Sequence, residues 1–170
     1  MHRRSALQIG LAAFLLGCGG PPPPSAPSPL LGKMLPDFRR RALDGSEIDT
    51  ARGRGRVVVV DFFAKSCEPC RRTLPELEAL HRAEPEVLVV GVAEDESVSD
   101  ANEVVSAHQL TFEVVHDQGN VLSGRFRVSD LPITFVAGPG GAIHWVGDAR
   151  VTQDGLSRAI AAARRAQPSP

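Results

Sequence analysis

Two cysteines directly after an apolar run constrain this chain more than any other feature. Cys67 and Cys70 are separated by two residues and follow the apolar run at residues 57–63. Such a run is typical of a strand buried on both faces of a sheet, and residues 68–83 have the leucine spacing of a helix. A C-x-x-C pair between a strand and a helix predicts a dithiol–disulfide redox centre. Since a helix N-terminus favours negative charge, the pattern predicts that Cys67 starts the exchange.

The size and charge of the chain fit one folded domain with appendages. It has 170 residues and a net charge of −1, from 19 basic and 20 acidic side chains. This balance provides no strongly basic surface, so we expect no nucleic-acid partner. We also expect the protein to be a monomer. The cysteines are Cys18, Cys67 and Cys70. If Cys18 is used elsewhere, one pair remains and no thiol is left over.

The first residues have the pattern of a bacterial export signal. Arg3 and Arg4 precede a short apolar stretch at residues 6–16, which is shorter than the roughly 20 residues of an ordinary transmembrane helix. The stretch runs into the letters LLGC, which resemble a lipoprotein cleavage motif. We therefore expect residues 1–17 to be removed and Cys18 to carry lipid. An ordinary cleaved signal with an incidental cysteine, and export by the twin-arginine route, stay open as alternatives.

Proline dominates the segment that follows. Residues 18–32 contain the run of prolines at 21–24 and further prolines at 27 and 29. This composition predicts a stiff, extended and unpacked spacer with a reach on the order of 40 Å. We expect the lipidated Cys18 and this linker to precede a folded domain at residues 33–166, with a short tail at 167–170.

Strands and helices alternate along the predicted domain. Extended segments are predicted near 37–38, 47–48, 57–63, 87–92, 112–115, 133–136 and 142–146, and helices near 68–83, 98–108, 120–126 and 156–163. The short link at 138–141 favours antiparallel pairing of the strands on either side. This order predicts an α/β fold in which a βαβ half is followed by a hairpin and a last helix.

The segment VDFFAKSCEPCR at residues 60–71 resembles the active-site strand, loop and helix of thioredoxins. The wider context resembles the membrane-anchored TlpA/ResA branch, on the export signal, the LPDF segment at 35–38, Pro75 five residues after the second cysteine, and Leu131-Pro132 ahead of the late hairpin. The resemblance implies a thioredoxin fold, a central mixed sheet flanked by helices, with an N-terminal extension and a central helix–strand insertion.

The resemblance also implies roles for individual residues. Cys67 is expected to be the exposed nucleophile, and Cys70 the buried resolving thiol. Pro132 is expected to be a cis proline facing the cysteines, and Leu131 to offer backbone hydrogen bonds to a substrate peptide. Asp61 matches the buried acid found beneath the active site of many thioredoxins.

Asp61 interrupts the apolar strand, where burial should raise the pKa of its carboxyl. A carboxyl with a pKa near neutrality suits proton transfer, so Asp61 is the candidate base for Cys70. The alternative is a structural acid satisfied by backbone or water.

Glu68 lies between the cysteines and matches the acid that some cytochrome-maturation members carry there. Its negative charge disfavours the Cys67 thiolate and makes the couple more reducing. Lys65, Arg71 and Arg72 act in the opposite direction, and a solvated acid that only helps the helix dipole is the alternative.

The sequence predicts a lipid-anchored thiol–disulfide oxidoreductase on the periplasmic side of a bacterial membrane that reduces protein disulfides. The resemblance implies a transmembrane thiol-transfer protein as donor and apocytochrome c or another oxidised protein as acceptor, with no cofactor beyond the Cys67–Cys70 pair. A tethered thioredoxin-fold binding module with a structural disulfide and a copper-delivery protein are the alternatives. Zinc is disfavoured because a structural site needs four ligands and the chain has no second cysteine pair.

Overall fold

The structure, a computed structural model, describes residues 20–166. The predicted signal peptide at 1–17, the predicted lipid-carrying Cys18 and the tail at 167–170 lie outside the described residues. Within residues 20–166, no helix is long and apolar enough to cross a membrane.

A five-stranded mixed sheet forms the centre of the domain. In chain order the strands and helices are β1 (Arg39–Arg41), β2 (Glu47–Asp49), β3 (Val58–Phe63), α1 (Cys70–Ala83), β4 (Leu88–Ala93), α2 (Val98–Ala107), β5 (Glu113–His116), α3 (Val121–Phe126), β6 (Ile133–Ala137), β7 (Ile143–Gly147) and α4 (Gln153–Arg165). The strand order in the sheet is β5-β4-β3-β6-β7, and β1 pairs only with β2. β3 is parallel to β4 and antiparallel to β6, and β6 is antiparallel to β7.

This topology confirms the predicted thioredoxin fold. β3, α1 and β4 form the βαβ half, and β6, β7 and α4 follow as a hairpin and helix. The helix and strand between them, α2 and β5, are the predicted central insertion. Gly141 has a φ of +86° in the turn between β6 and β7, a conformation that glycine adopts without steric cost.

β3 lies in the middle of the sheet with all six of its residues buried. Because successive side chains point to opposite faces, Val59 and Phe63 pack against the helix side formed by α1 and α4, and Asp61 shares that side. The opposite face holds Phe62, whose ring lies 5.0 Å from that of Phe126 between centroids. The apolar run therefore does what its composition predicts, with one carboxyl enclosed in it.

The predicted unpacked spacer is wrong for residues 23–32, which we call the strap. The strap packs along β7, the edge strand of the sheet. The Trp145 indole N–H donates to the Pro23 carbonyl at 2.8 Å, and the Ala26 N–H donates to the Val146 carbonyl at 2.7 Å. Ala26 is itself buried. Composition misled the prediction because the same extended proline chain that stays solvated in a linker can also cover an exposed strand edge.

The strap runs antiparallel to β7, so its N-terminal end lies at the carboxyl end of that strand. Ala26 pairs with Val146 near the end of β7, whereas the Leu35 N–H donates to the Gly141 carbonyl just before β7 begins. Through β6, β7 is parallel to β3. The carboxyl ends of β7 and β3 therefore lie at the same end of the sheet. The chain enters the domain at this end, where β3 leads into the loop to Cys67.

Removing the N-cap of α2 tests how much the cap contributes to the stability of the central insertion, α2 and β5. The Ser97 hydroxyl oxygen accepts from the Asp100 N–H at 3.0 Å and donates to the Asp100 carboxylate at 2.7 Å. We expect Ser97→Ala to lower the free energy of unfolding by about 1 kcal/mol in urea denaturation. Ser106→Ala, in the same helix at an exposed position, should change it by less than about 0.5 kcal/mol. Equal effects of the two substitutions would contradict the capping argument.

Candidate active site

The two cysteines lie where β3 leads into α1. Cys67 is half-buried in the loop, and Cys70 is the first residue of α1 with 1% of its surface exposed. The two sulfurs form a disulfide, with the Cα atoms 5.3 Å apart. The unequal burial matches the expectation that Cys67 faces solvent and Cys70 lies behind it.

Backbone polarity around Cys67 favours a negative sulfur. The Cys70 N–H donates to the Cys67 sulfur at 3.2 Å, and the Cys67 carbonyl accepts from the same N–H at 3.2 Å. The dipole of α1, whose N-terminus lies at Cys70, adds partial positive charge beside the same sulfur. The arrangement can therefore stabilise a Cys67 thiolate when the disulfide opens.

Asp61 lies in β3 with 1% of its surface exposed. The Thr134 hydroxyl, across the β3–β6 pair, donates to Asp61 Oδ1 at 2.6 Å. Its Oδ2 is buried and has no hydrogen-bond partner within residues 20–166. Burial raises the pKa of Asp61 to about 7, and the Thr134 hydrogen bond only partly opposes this. Asp61 shares the face of the sheet that packs against α1, the helix that Cys70 begins.

Glu68 is strongly exposed beside the cysteines. Its carboxylate forms an ion pair with Arg71, one helical turn along, at 3.1 Å. Lys65 does not face the disulfide with a free charge, because its ammonium contacts Asp100 at 2.6 Å and Glu103 at 2.7 Å. Two of the three cations predicted to oppose Glu68 are therefore held in ion pairs, Lys65 with residues of α2 and Arg71 with Glu68 itself. Arg72 has no ion-pair partner within residues 20–166.

The Leu131–Pro132 peptide bond is cis, which confirms that prediction. Leu131 is half-buried and lines the same open groove as Cys67, and Pro132 is buried behind it. The Leu131 N–H already donates to the Asp130 carboxylate at 2.9 Å. The role of Leu131 as a backbone partner for a substrate stays a prediction, and Asp130 is the group that a substrate carbonyl would replace.

Glu94 is a site residue that the sequence argument missed. It follows β4 and lines the groove at Cys67. It accepts a hydrogen bond from the Ser123 hydroxyl at 2.7 Å. Burial, with a smaller contribution from the charge of Asp117, raises the pKa of its carboxyl. A usable signal was present, because the carboxyl ends of neighbouring parallel strands meet at one edge of a sheet, and Glu94 directly follows the neighbour of β3.

Comparison with protein families matches residues 31–146 to the AhpC/TSA family. Among curated proteins, the thiol-disulfide oxidoreductase ResA of Oceanobacillus iheyensis is 26% identical over 132 residues, which cover 74% of this chain and 69% of that protein. The matched part of this chain therefore spans about two thirds of that relative.

Solved structures show the same likeness. A secreted Mycobacterium tuberculosis disulfide oxidoreductase homologous to Escherichia coli DsbE is 28% identical, with a TM-score of 0.68 over 74% of this chain and 95% of that one. A Chlorobium tepidum protein proposed to be a thiol:disulfide interchange protein DsbE is 25% identical, with a TM-score of 0.71 over 78% of this chain and 96% of that one. With the C-x-x-C pair, the fold and these relatives in agreement, the chain belongs to the AhpC/TSA family as a TlpA/ResA-like thiol–disulfide oxidoreductase.

Proposed function

We propose that this protein reduces disulfides of exported proteins on the periplasmic side of a bacterial membrane, to which lipid on Cys18 anchors it. The observation that carries the proposal is the pairing of a half-exposed Cys67 with a buried Cys70 at the start of α1. Disulfides persist outside the cytoplasm, so a reductase there needs electrons from a membrane donor. A transmembrane thiol-transfer protein fits that need, and apocytochrome c is one candidate acceptor.

In the proposed reaction the Cys67 thiolate attacks one sulfur of the substrate disulfide. A mixed disulfide forms, and the other substrate sulfur leaves as a thiolate that takes up a proton. The Cys70 thiol then loses its proton and attacks Cys67, which releases the second substrate thiol. Two electrons pass to the substrate, and the Cys67–Cys70 disulfide that results is the state seen in this structure.

Asp61 is proposed to accept the Cys70 proton. Cys70 is almost fully buried, so its thiolate forms only with help from a nearby base. A carboxyl whose pKa is raised to about 7 can hold that proton and release it near neutral pH. The buried Oδ2 of Asp61, which has no hydrogen-bond partner among residues 20–166, is an acceptor on the α1 side of the sheet.

Leu131 and Pro132 are proposed to seat the substrate chain beside Cys67. Leu131 lines the groove that Cys67 opens into, so a peptide joined to the Cys67 sulfur would cross this loop. The Leu131 N–H then gives up Asp130 and donates to a substrate carbonyl, an exchange of one hydrogen bond for another at small net cost.

The proposed anchor holds the redox pair close to the membrane. Because the strap is packed from Pro23 onward, only residues 18–22 remain between the lipid and the domain. Five residues span at most about 18 Å when fully extended, well short of the predicted 40 Å spacer. The strap also enters at the end of the sheet where the loop to Cys67 begins. This position would favour transfer of electrons from a donor embedded in the same membrane.

A turnover assay tests the proposed activity. The full chain carrying Cys18→Ser, reduced and freed of reductant, is mixed with an oxidised peptide that has one internal disulfide. We expect about one equivalent of peptide to be reduced as Cys67 and Cys70 become oxidised. Mass spectrometry measures both changes. The peptide disulfide should have a reduction potential near −180 mV, as in protein disulfide isomerase. If the chain stays reduced and the peptide stays oxidised, the result would contradict a reductase.

Glu68 is proposed to lower the reduction potential of the Cys67–Cys70 couple and so to make it more reducing. Glu68→Gln removes a negative charge beside Cys67 and frees Arg71, and both changes favour the thiolate. We expect the reduction potential to rise, by no more than about 20 mV because the pair is exposed. Arg71→Gln should lower it by a similar amount. Equilibration of each variant with glutathione buffers measures the potential, and an unchanged or lower value for Glu68→Gln would contradict the tuning role.

A further inference from the structure

Two grooves lie on either side of the Leu131–Pro132 loop and share a wall. One, of about 720 Å³, is lined by Cys67. The other, of about 460 Å³, is lined by Pro132 and by Ala26 and Pro27 of the strap. The residues common to both grooves are Ser129, Asp130, Leu131 and Ala149. A continuous surface therefore leads from the reactive sulfur to the strap.

The strap is held firmly where it borders the second groove. Ala26 is buried and its N–H is bonded to Val146, while the Pro23 carbonyl is bonded to the Trp145 indole. Pro27, the next residue, is exposed. The backbone of the strap is thus fixed at Ala26, and the Pro27 ring is presented to the groove without any need to move.

The second groove suits a polypeptide better than a charged small ligand. Its walls are largely apolar, from Ala26, Pro27, Leu131, Pro132, Ile133 and Ala149. Among the described residues that line it, the one cation is Arg150, which is bound to the carboxylate of Asp148 at 2.6 Å. Neither partner of this ion pair offers a free charge to a ligand. The other carboxylate, Asp130, lies on the wall shared with the first groove and accepts the Leu131 N–H at 2.9 Å. The rest of the wall favours apolar side chains on an extended chain.

We propose that the strap is part of the substrate-binding surface, where Ala26 and Pro27 contact an extended, apolar segment beside the disulfide of the oxidised protein substrate. The inference rests on the proposed function, because the occupant of the first groove is that substrate's cysteine. Its ground is the continuity of the two grooves through the Leu131–Pro132 loop. A disulfide too small to extend past Leu131 engages Cys67 without reaching the strap.

Matched proline substitutions in the full chain test the proposal. Pro27→Glu puts a charge into the second groove, whereas Pro29→Glu puts the same charge on an exposed strap residue outside both grooves. The substrates are a disulfide peptide with apolar residues flanking its cysteines, and glutathione disulfide. We expect Pro27→Glu to lower kcat/KM for the peptide about tenfold and to leave glutathione disulfide unaffected, with Pro29→Glu like the parent chain for both. Trp145, the only tryptophan, reports by its fluorescence whether the strap stays docked.

Peptide reduction that is unchanged in a docked Pro27→Glu chain would overturn the proposal, and so would equal losses for peptide and glutathione disulfide. A parent chain that reduces neither substrate would instead show that the proposed function has failed. If Pro27→Glu releases the strap, crosslinking decides the question. With Cys70→Ser, the peptide stays joined to Cys67, and a photoreactive p-benzoylphenylalanine in place of Pro27 should crosslink to it. The same group in place of Pro29 should not, and equal yields at both positions would overturn the proposal.

Discussion

Replacing Cys67 with serine is expected to reduce turnover of a disulfide peptide by about 10³-fold or more. Only a thiolate attacks a disulfide efficiently, and a serine hydroxyl in the same position cannot replace it. Cys70→Ser should give a different result. It leaves the half-exposed Cys67 free to attack but removes the buried thiol that resolves the intermediate, so the chain should accumulate as a stable adduct with the substrate.

Mass spectrometry of the reaction with a peptide carrying an activated disulfide distinguishes the two variants. Cys70→Ser should gain the mass of one peptide, and Cys67→Ser should gain none. Ser66→Ala, next to Cys67 and exposed, is the control and should behave like the parent chain, with all variants made on Cys18→Ser. An adduct that forms on Cys67→Ser and not on Cys70→Ser would reverse the assigned roles.

The substitution Asp61→Asn is expected to stabilise the fold at alkaline pH and to slow the chemistry. Burial raises the pKa of Asp61 to about 7, whereas an aspartate in an unfolded chain has a pKa near 3.9. The native state therefore binds the proton more tightly than the unfolded state. The contribution of the protonated Asp61 carboxyl to the free energy of unfolding is complete below pH 4 and is lost as the pH rises through 7.

Urea denaturation at several pH values measures this effect. The gain in free energy of unfolding of Asp61→Asn over the parent chain should grow by roughly 4 kcal/mol between pH 4 and pH 8. Glu78→Gln is the opposite control, because hydrogen bonds from Thr111 and Arg82 outweigh burial and hold the pKa of Glu78 below its usual range. Its removal should cost more stability at pH 7 than at pH 3. A gain for Asp61→Asn that does not change with pH would contradict the assigned ionisation.

The same variant tests the proton transfer. If Asp61 accepts the proton of Cys70, resolution of the mixed disulfide should slow by about 10²-fold in Asp61→Asn, and the step in rate near pH 7 should disappear. Rapid quenching of the reaction at pH 6, 7 and 8 measures both. An unchanged rate across this range would leave Asp61 as a structural acid, with Thr134 as its partner.

Local patterns in the sequence predicted most of the redox centre. An apolar run long enough for a buried strand, followed by C-x-x-C, fixed the positions of β3 and α1. The unequal burial of Cys67 and Cys70, which the structure shows, was implied by the resemblance to thioredoxins. Asp61 was a candidate because every residue of a strand that is buried on both faces lies in the interior, including a carboxylate. The inferences about β3, α1 and Asp61 need only neighbouring residues and the geometry of one strand and one helix.

What the sequence could not predict depends on distant contacts. The strap packs because Trp145, more than a hundred residues later, provides a donor for Pro23, and no proline-rich composition reveals that. Lys65 was counted as a free cation near Cys67, but two carboxylates of α2 hold it. Glu94 comes to the groove only because β4 is parallel to β3. In each case, strand order and docking decide what a side chain can do.

The reduction potential of the Cys67–Cys70 couple tests the central claim most directly. The full chain carrying Cys18→Ser is equilibrated with thiol–disulfide buffers of defined potential, and the oxidised fraction is measured by alkylation and mass spectrometry. We predict a value near −270 mV, as in thioredoxin, which suits a reductase supplied by a membrane donor. A value near −120 mV, as in a strong oxidant, or a pair that is reduced only when the domain unfolds, would contradict it.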